Sequence, residues 1–174
     1  GNDITQMNPS KRSQLGIGRV FQNFGIFREM TLEENILVAL EALPKEQREN
    51  LGDLKVVVSG TLEMVGLSSS AKKKAGSLSG GQMRLLEISR TLKCGKELFL
   101  LDEPTAGVSP KMTNQVSDLI SELQREGKTV LIIEHDLPFI SRICDRVVVL
   151  DVGQIVLEGS PGEVKESNEL KEIY

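Results

Sequence analysis

The sequence predicts an α/β fold, a parallel sheet flanked by helices, and three observations carry that expectation. Residues 98–101 (Leu-Phe-Leu-Leu) form an apolar run that reads as a strand buried on both faces, as parallel sheets require. A second apolar run, residues 129–134, reads the same way. Between them Met112, Val116, Leu119, Ile120 and Leu123 recur at helical spacing, so strand, helix and strand follow one another in the α/β order.

Composition narrows the class further. A chain of 174 residues can hold one core, or one core with an inserted lobe. A formal net charge of −4 leaves no electrostatic footprint for nucleic acid, and aromatics at 3% offer no base-stacking platform. The two cysteines, Cys94 and Cys144, have no metal or redox spacing and read as reduced thiols of a cytosolic setting. No apolar run approaches the length of a membrane span. Any membrane association is therefore expected to go through a partner.

In chain order, residues 1–9 are polar turn material, residues 10–16 a short helix and residues 17–22 a short strand ending at Gln22. Asn23, Phe24 and Gly25 form a loop. Thr31 and Glu34 make a capping box, with Ile36, Leu37 and Leu40 on the apolar side of the helix they start. Residues 45–53 are charged, an exposed helix or a connector. Residues 54–65 mix a strand-like Val56-Val57-Val58 with helical spacing at Leu62 and Val65; Gly66 as a C′ residue favours a helix. Lys72, Lys73 and Lys74 are expected on a solvated face. Residues 78–82 open a strong helix with Leu85, Leu86, Ile88 and Leu92 on its apolar side. Ser109 as N-cap, Pro110 at N1 and Gly127 at C′ bound the helix after the central strand. Residues 146–150 and 154–158 are two late strands joined by a tight turn at Val152-Gly153. The helices between residues 31 and 92 read as an insertion.

Three places carry chemistry. The central strand ends in Asp102 and Glu103, and Pro104 stops it. Open parallel sheets work at the carboxyl ends of their strands. Adjacent strand residues point to opposite faces, so one carboxylate could hold a hydrated Mg²⁺ while the other polarises a water. A strand that merely ends in polar residues would look the same in isolation. Ser79, Gly80, Gly81 and Gln82 place a hydroxyl and two unhindered backbone amides at a helix N-terminus, which suits a phosphate. The bland alternative is a glycine-rich helix start with Ser79 as an ordinary cap. His135, the one histidine, follows directly on the second apolar run, where a lone imidazole could serve structure or catalysis.

The ordered set of Gln22, the Leu78-Ser-Gly-Gly-Gln82 helix start, the residue 98–103 strand and His135 resembles the ATP-binding subunit of an ABC transporter. In that resemblance residues 78–82 match the family signature, residues 98–103 the Walker B strand, Gln22 the Q-loop and His135 the switch histidine. Residues 106–110 occupy the D-loop position. Phe21-Gln22-Asn23, Phe27 to Thr31, Glu34-Asn35 and Ala106-Gly107 look most like the branched-chain amino-acid uptake subgroup. The resemblance implies a P-loop NTPase-type core over residues 1–30 and 93–174, with a helical, signature-bearing subdomain over 31–92. It implies ATP and Mg²⁺ as cofactors, with Asp102 holding the metal through water, Glu103 as general base, His135 at the γ-phosphate and Gln22 touching metal or water. Ser79, Gly80, Gly81 and Gln82 would clamp the γ-phosphate bound on a second ATPase subunit, head to tail. Integral membrane permeases would be the other partners, at the cytoplasmic face of the membrane.

Alternatives stay open. A lipopolysaccharide-export ATPase shares much of the pattern. A soluble family member of translation or DNA repair would be expected to show a second cassette, a long coiled coil or basic tracts. A non-hydrolytic module lending its signature to an intact partner is the third.

The family's first motif, G-x-x-x-x-G-K-[ST], is expected upstream of Gln22 and is not in these residues. Gly127-Lys128-Thr129 is a decoy, because Glu122 stands five positions before Gly127 and the triplet runs from helix to strand. The sequence is therefore expected to represent a subunit without its Walker A region. Titrated with Mg-ATP, residues 1–174 alone should bind weakly and release negligible phosphate, since backbone amides and a lysine around the β- and γ-phosphates supply most of the grip. Micromolar affinity with steady phosphate release would contradict this.

Overall fold

The computed structural model describes residues 3–20, 25–94, 96–168 and 170. They fall into two compact units, residues 1–133 and 134–174.

The first unit is built on a parallel sheet of three strands in the order β1 (Ile17–Val20), β2 (Leu98–Asp102), β3 (Thr129–Ile133). The carboxylate-ended strand is thus central, with Val20 registered on Leu101 and Asp102 on Ile133. Parallel neighbours in register share a face, so Gly18, Val20, Phe99, Leu101, Val130 and Ile132 lie on one side. That side is the core side: Val20, Phe99 and Leu101 are all but inaccessible. The other side is not closed. Leu98 and Leu100 are only half-buried, while Leu131 and Ile133 remain 53% and 58% exposed. The expectation of strands buried on both faces is corrected here. An apolar run fits a covered strand and a half-covered one equally well, because the run itself says nothing of what packs on either side.

The helices follow local chemistry. Helix α1 (Pro9–Gln14) is capped by Asn8, whose Oδ1 accepts from Lys11 N at 2.9 Å. Helix α2 (Leu32–Glu41) has the expected capping box: Thr31 Oγ1 accepts from Glu34 N, and Glu34 Oε2 accepts from Thr31 N at 2.7 Å. The Thr31 backbone N–H, and after it the Thr31 hydroxyl, hold the Glu34 carboxyl below its usual pKa. Leu32, Ile36 and Leu40 turn inward, as does Asn35, which is fully buried. Its amide is satisfied: Oδ1 accepts from Phe27 N and Nδ2 donates to Phe27 O and Thr31 O, each at 2.9 Å. Helix α3 (Lys45–Asn50) is the exposed charged stretch. The ambiguous segment is helix α4 (Leu54–Met64), capped by Asp53, with Val58, Thr61 and Leu62 buried and Val56 left outside. Gly66 and Gly127 end their helices at φ +68° and +75°. Lys72, Lys73 and Lys74 are exposed as expected, Lys74 pairing with Glu29 at 2.9 Å.

Helix α5 (Gly80–Leu92) runs through the core of this unit, with every residue from Met83 to Ser89 buried. Among them are two charged groups, Arg84 and Glu87, which bond each other at 3.0 Å. Helix α6 (Pro110–Arg125) packs against α5 and β3, burying Val116, Leu119, Ile120 and Leu123.

The second unit holds helix α7 (Leu137–Ile143), the antiparallel pair β4 (Val147–Asp151) and β5 (Gln154–Gly159), and helix α8 (Pro161–Glu166). The hairpin turns at Val152 and Gly153, φ +44° and +78°, the geometry of a tight two-residue loop. Val147, Val164 and Leu170 centre its small core. Helices α7 and α8 are additions to the sequence-based account. Both carry start signals: Asp136 Oδ1 accepts from Phe139 N at 3.0 Å, and Ser160 forms a capping box with Glu163.

Because Phe99 lies at the centre of the covered face, Phe99→Ala is expected to cost about 3–5 kcal/mol in chemical denaturation, with an unchanged slope. The same change at Leu131, already half in solvent, should cost much less.

Candidate functional site

The end of β2 presents the two carboxylates differently. Asp102 completes the strand on its open side, and its Oδ2 stands 3.6 Å from Arg19 Nη2 at the end of β1. About a third of the Asp102 side chain remains accessible, so this is a loose surface pair and the carboxylate is open to a further cation. Glu103 leaves the strand altogether. Its φ is +46°, a left-handed conformation that costs a non-glycine residue about 1–3 kcal/mol. It is held there from both ends: Glu103 N donates to Ile133 O at 2.9 Å, and Glu103 O accepts from Ala106 N at 3.1 Å. The buried Pro104 follows immediately. The strand thus ends at Asp102, and Glu103 stands in the turn that follows it rather than in the strand.

The second candidate group lies at the start of α5. Ser79 is an N-cap whose Oγ accepts from Gln82 N at 3.3 Å, while Gln82 Oε1 accepts from Ser79 N at 3.0 Å. Ser79 and Gly80 are exposed, Gln82 half-buried. Gly81, the second of the two glycines, is buried on its Cα side. A Cβ built there would collide with Met112 Sδ and come within 2.9 Å of Val108 Cγ1. Gly81 is therefore small because α6 and the loop before it press onto the signature turn. That close approach also places the turn against residues 108–112, a few positions after the carboxylates.

Gln22 lies outside the described residues. His135 belongs to the second unit, where it is exposed; its N donates to Glu134 Oε2 at 3.2 Å, and its Nδ1 lies 3.8 Å from the same oxygen. Arg19 beside Asp102 and Met112 against Gly81 are additions that sequence spacing does not signal, because both are products of register and packing. Among the described residues no group of three or more His, Cys, Asp or Glu side chains converges as a metal cage. The donor set at the end of β2 suits Mg²⁺, which keeps several waters and takes one or two carboxylates together with substrate phosphates.

A family model described as ABC transporter matches residues 1–106. The chain is 34% identical to BraF of Pseudomonas aeruginosa, a high-affinity branched-chain amino acid transport ATP-binding protein, covering all of this chain and 73% of that one. It is 32% identical to LptB of Haemophilus influenzae, a lipopolysaccharide export system ATP-binding protein, over all of this chain and 71% of LptB. With MetN 1 of Pseudomonas putida, a methionine import ATP-binding protein, identity is 39% over 94% of this chain, which spans only 49% of that relative. Among solved structures, the ADP conformation of MJ1267, an ATP-binding cassette of an ABC transporter, superposes with a TM-score of 0.80 at 33% identity, covering all of this chain and 74% of that one.

The packing at Gly81 makes a prediction of its own. Gly81→Ala should destabilise the chain by about 1–3 kcal/mol through overpacking against Met112 and Val108. Met112→Ala in the same chain should recover part of the loss, a non-additivity read from a double-mutant cycle of unfolding free energies. Strict additivity would mean that the two side chains do not meet.

Proposed function

The chain belongs to the ABC transporter ATP-binding family, whose members hydrolyse ATP, and we propose that its residues serve such a subunit in the import of branched-chain amino acids. The observation that carries the catalytic part is the strand-to-turn switch, which ends the central strand at Asp102 and sets Glu103 next to it in a left-handed conformation. Phosphoryl transfer to water needs charge neutralised around the phosphates and a water placed in line.

On this reading Asp102 holds Mg²⁺ through a water. Bound there, such an ion would supply neutralisation of the phosphate charge. Glu103 accepts a proton from the attacking water as general base. His135 contacts the γ-phosphate, and Gln22 touches the metal or the water and reports nucleotide state to the membrane subunit. Ser79, Gly80, Gly81 and Gln82 close on the γ-phosphate held by a second ATPase subunit, the helix N-terminus supplying N–H groups and a favourable dipole. The division into a core over 1–30 and 93–174 and a helical subdomain over 31–92 belongs to the same proposal.

None of the described helices is long and apolar enough to cross a membrane, so association with the bilayer is assigned to permease subunits at its cytoplasmic face. The substrate rests on subgroup features and on similarity to BraF and to the LivG branched-chain amino acid transport ATP-binding protein of Escherichia coli. LptB lies at comparable identity. Co-purification of the full-length subunit with a branched-chain amino acid permease supports the import reading; co-purification with a lipid-export permease overturns it.

In the full-length subunit, Glu103→Gln should lower ATP turnover about 10²–10⁴-fold while ATP-driven association of two subunits persists, because the amide keeps the shape and removes the base. Phosphate release at the unmodified rate would remove Glu103 from the role given to it.

A further inference from the structure

Helix α5 does more than present its first turn. Three residues apart on one face, Glu87 and Arg90 both reach the backbone of a single residue in another segment. Gly25 N donates to Glu87 Oε1 at 2.9 Å, and Arg90 Nη2 donates to Gly25 O at 2.6 Å. The other Glu87 oxygen is fixed by Arg84 Nη1 at 3.0 Å in full burial, so the carboxylate has no freedom to follow Gly25 if it moves. Arg90 is held from its far side by the Phe27 ring, whose centroid lies 5.8 Å from the guanidinium carbon. Phe27 in turn is gripped through both N–H and C=O by the buried Asn35 of α2. Gly25 also fits where a larger residue would crowd: an added Cβ would lie 3.0 Å from Glu87 Oε1.

We propose that Glu87 and Arg90 are positioning residues, which clamp Gly25 from both ends and make the chain at Gly25 and the signature helix α5 move as one body. Charge-assisted bonds of this kind are roughly twice as strong as neutral ones, and both are short. The clamped Gly25 lies three positions after Gln22 in sequence, and Glu87 and Arg90 are the eighth and eleventh residues of α5. Its functional meaning rests on the reading of Gln22 and of Ser79 to Gln82 given above: a displacement at either place is delivered to the other through Gly25. Neither clamp residue is assigned a contact with nucleotide. Their loss should therefore slow turnover without weakening ATP binding.

The test uses the full-length subunit in its membrane assembly, with Mg-ATP as the probe and Arg90→Ala, Gly25→Ala and Arg90→Lys as variants. Hydrogen exchange at the residue 25 amide should quicken about tenfold in Arg90→Ala and Gly25→Ala. The kcat of the same two variants should fall about tenfold with the KM for Mg-ATP unchanged. Arg90→Lys, which can still donate to Gly25 O, should restore most of both. Unchanged exchange overturns the clamp, and faster exchange with unchanged kcat overturns its positioning role. A parallel rise in KM, or a loss that Arg90→Lys does not recover, would mean a general structural part and would equally overturn it. An unmodified assembly without turnover contradicts the functional reading itself, and the exchange rates then decide the clamp alone.

Discussion

The buried ion pair between Arg84 and Glu87 is the constraint on which the first unit depends. Two charges taken out of water inside a helix are tolerated only when their geometry is good and their remaining polar atoms find partners. Glu87 meets that demand with Arg84 on one oxygen and the backbone of Gly25 on the other. The pair lies within α5 and turns with it; what ties this helix to another segment is the bond that the same Glu87 carboxylate accepts from Gly25 N. On the same helix Leu85, Leu86 and Ile88 lie in the core and Gly81 faces Met112. The exposed Ser79 and Gly80 are then left at the open end of the helix. The signature turn thus shares its helix with the Glu87–Gly25 bond, two turns further along.

The carboxylate end of β2 is held by a different device. A left-handed Glu103 is unfavourable by itself and persists because the sheet fixes it: its N–H is bonded to the end of β3 and its carbonyl to the turn that follows. The open side of the sheet serves the same end. Asp102 and Arg19 lie on it, accessible, while Phe99 and Leu101 anchor the strand from the covered side. Core packing, backbone strain and an accessible carboxylate are thus arranged along six consecutive residues. On the proposed reading, this is what lets one carboxylate serve a metal and the next a water.

Much of this was legible in the residues. Capping boxes at Thr31 and Ser79, terminal glycines at 66 and 127, and the turn at Val152-Gly153 are local rules acting on neighbours, and each is found where its residues stand. The carboxylates at a strand end could be read because strand and breaker are adjacent in sequence. What could not be read depends on partners far along the chain. The half-open sheet face, the Arg19–Asp102 pair and the crowding of Gly81 by α6 arise from register and packing, to which hydrophobic periodicity is blind. Helices α7 and α8 are a different case. Asp136 and Ser160 are each an N-cap with proline following within two residues, a local start signal of the same kind.

The central claim is that the α5 start faces nucleotide bound on a second subunit. A photoreactive γ-phosphate analogue of ATP tests it directly, cross-linked within the two-subunit assembly of full-length protein and mapped by mass spectrometry. To tell the two copies apart, one is isotopically labelled and made unable to bind nucleotide. The account predicts that residues 79–82 of that copy carry the label, transferred from nucleotide held on the other. Label confined to the nucleotide-binding copy, or absent from residues 79–82 in both, would contradict it.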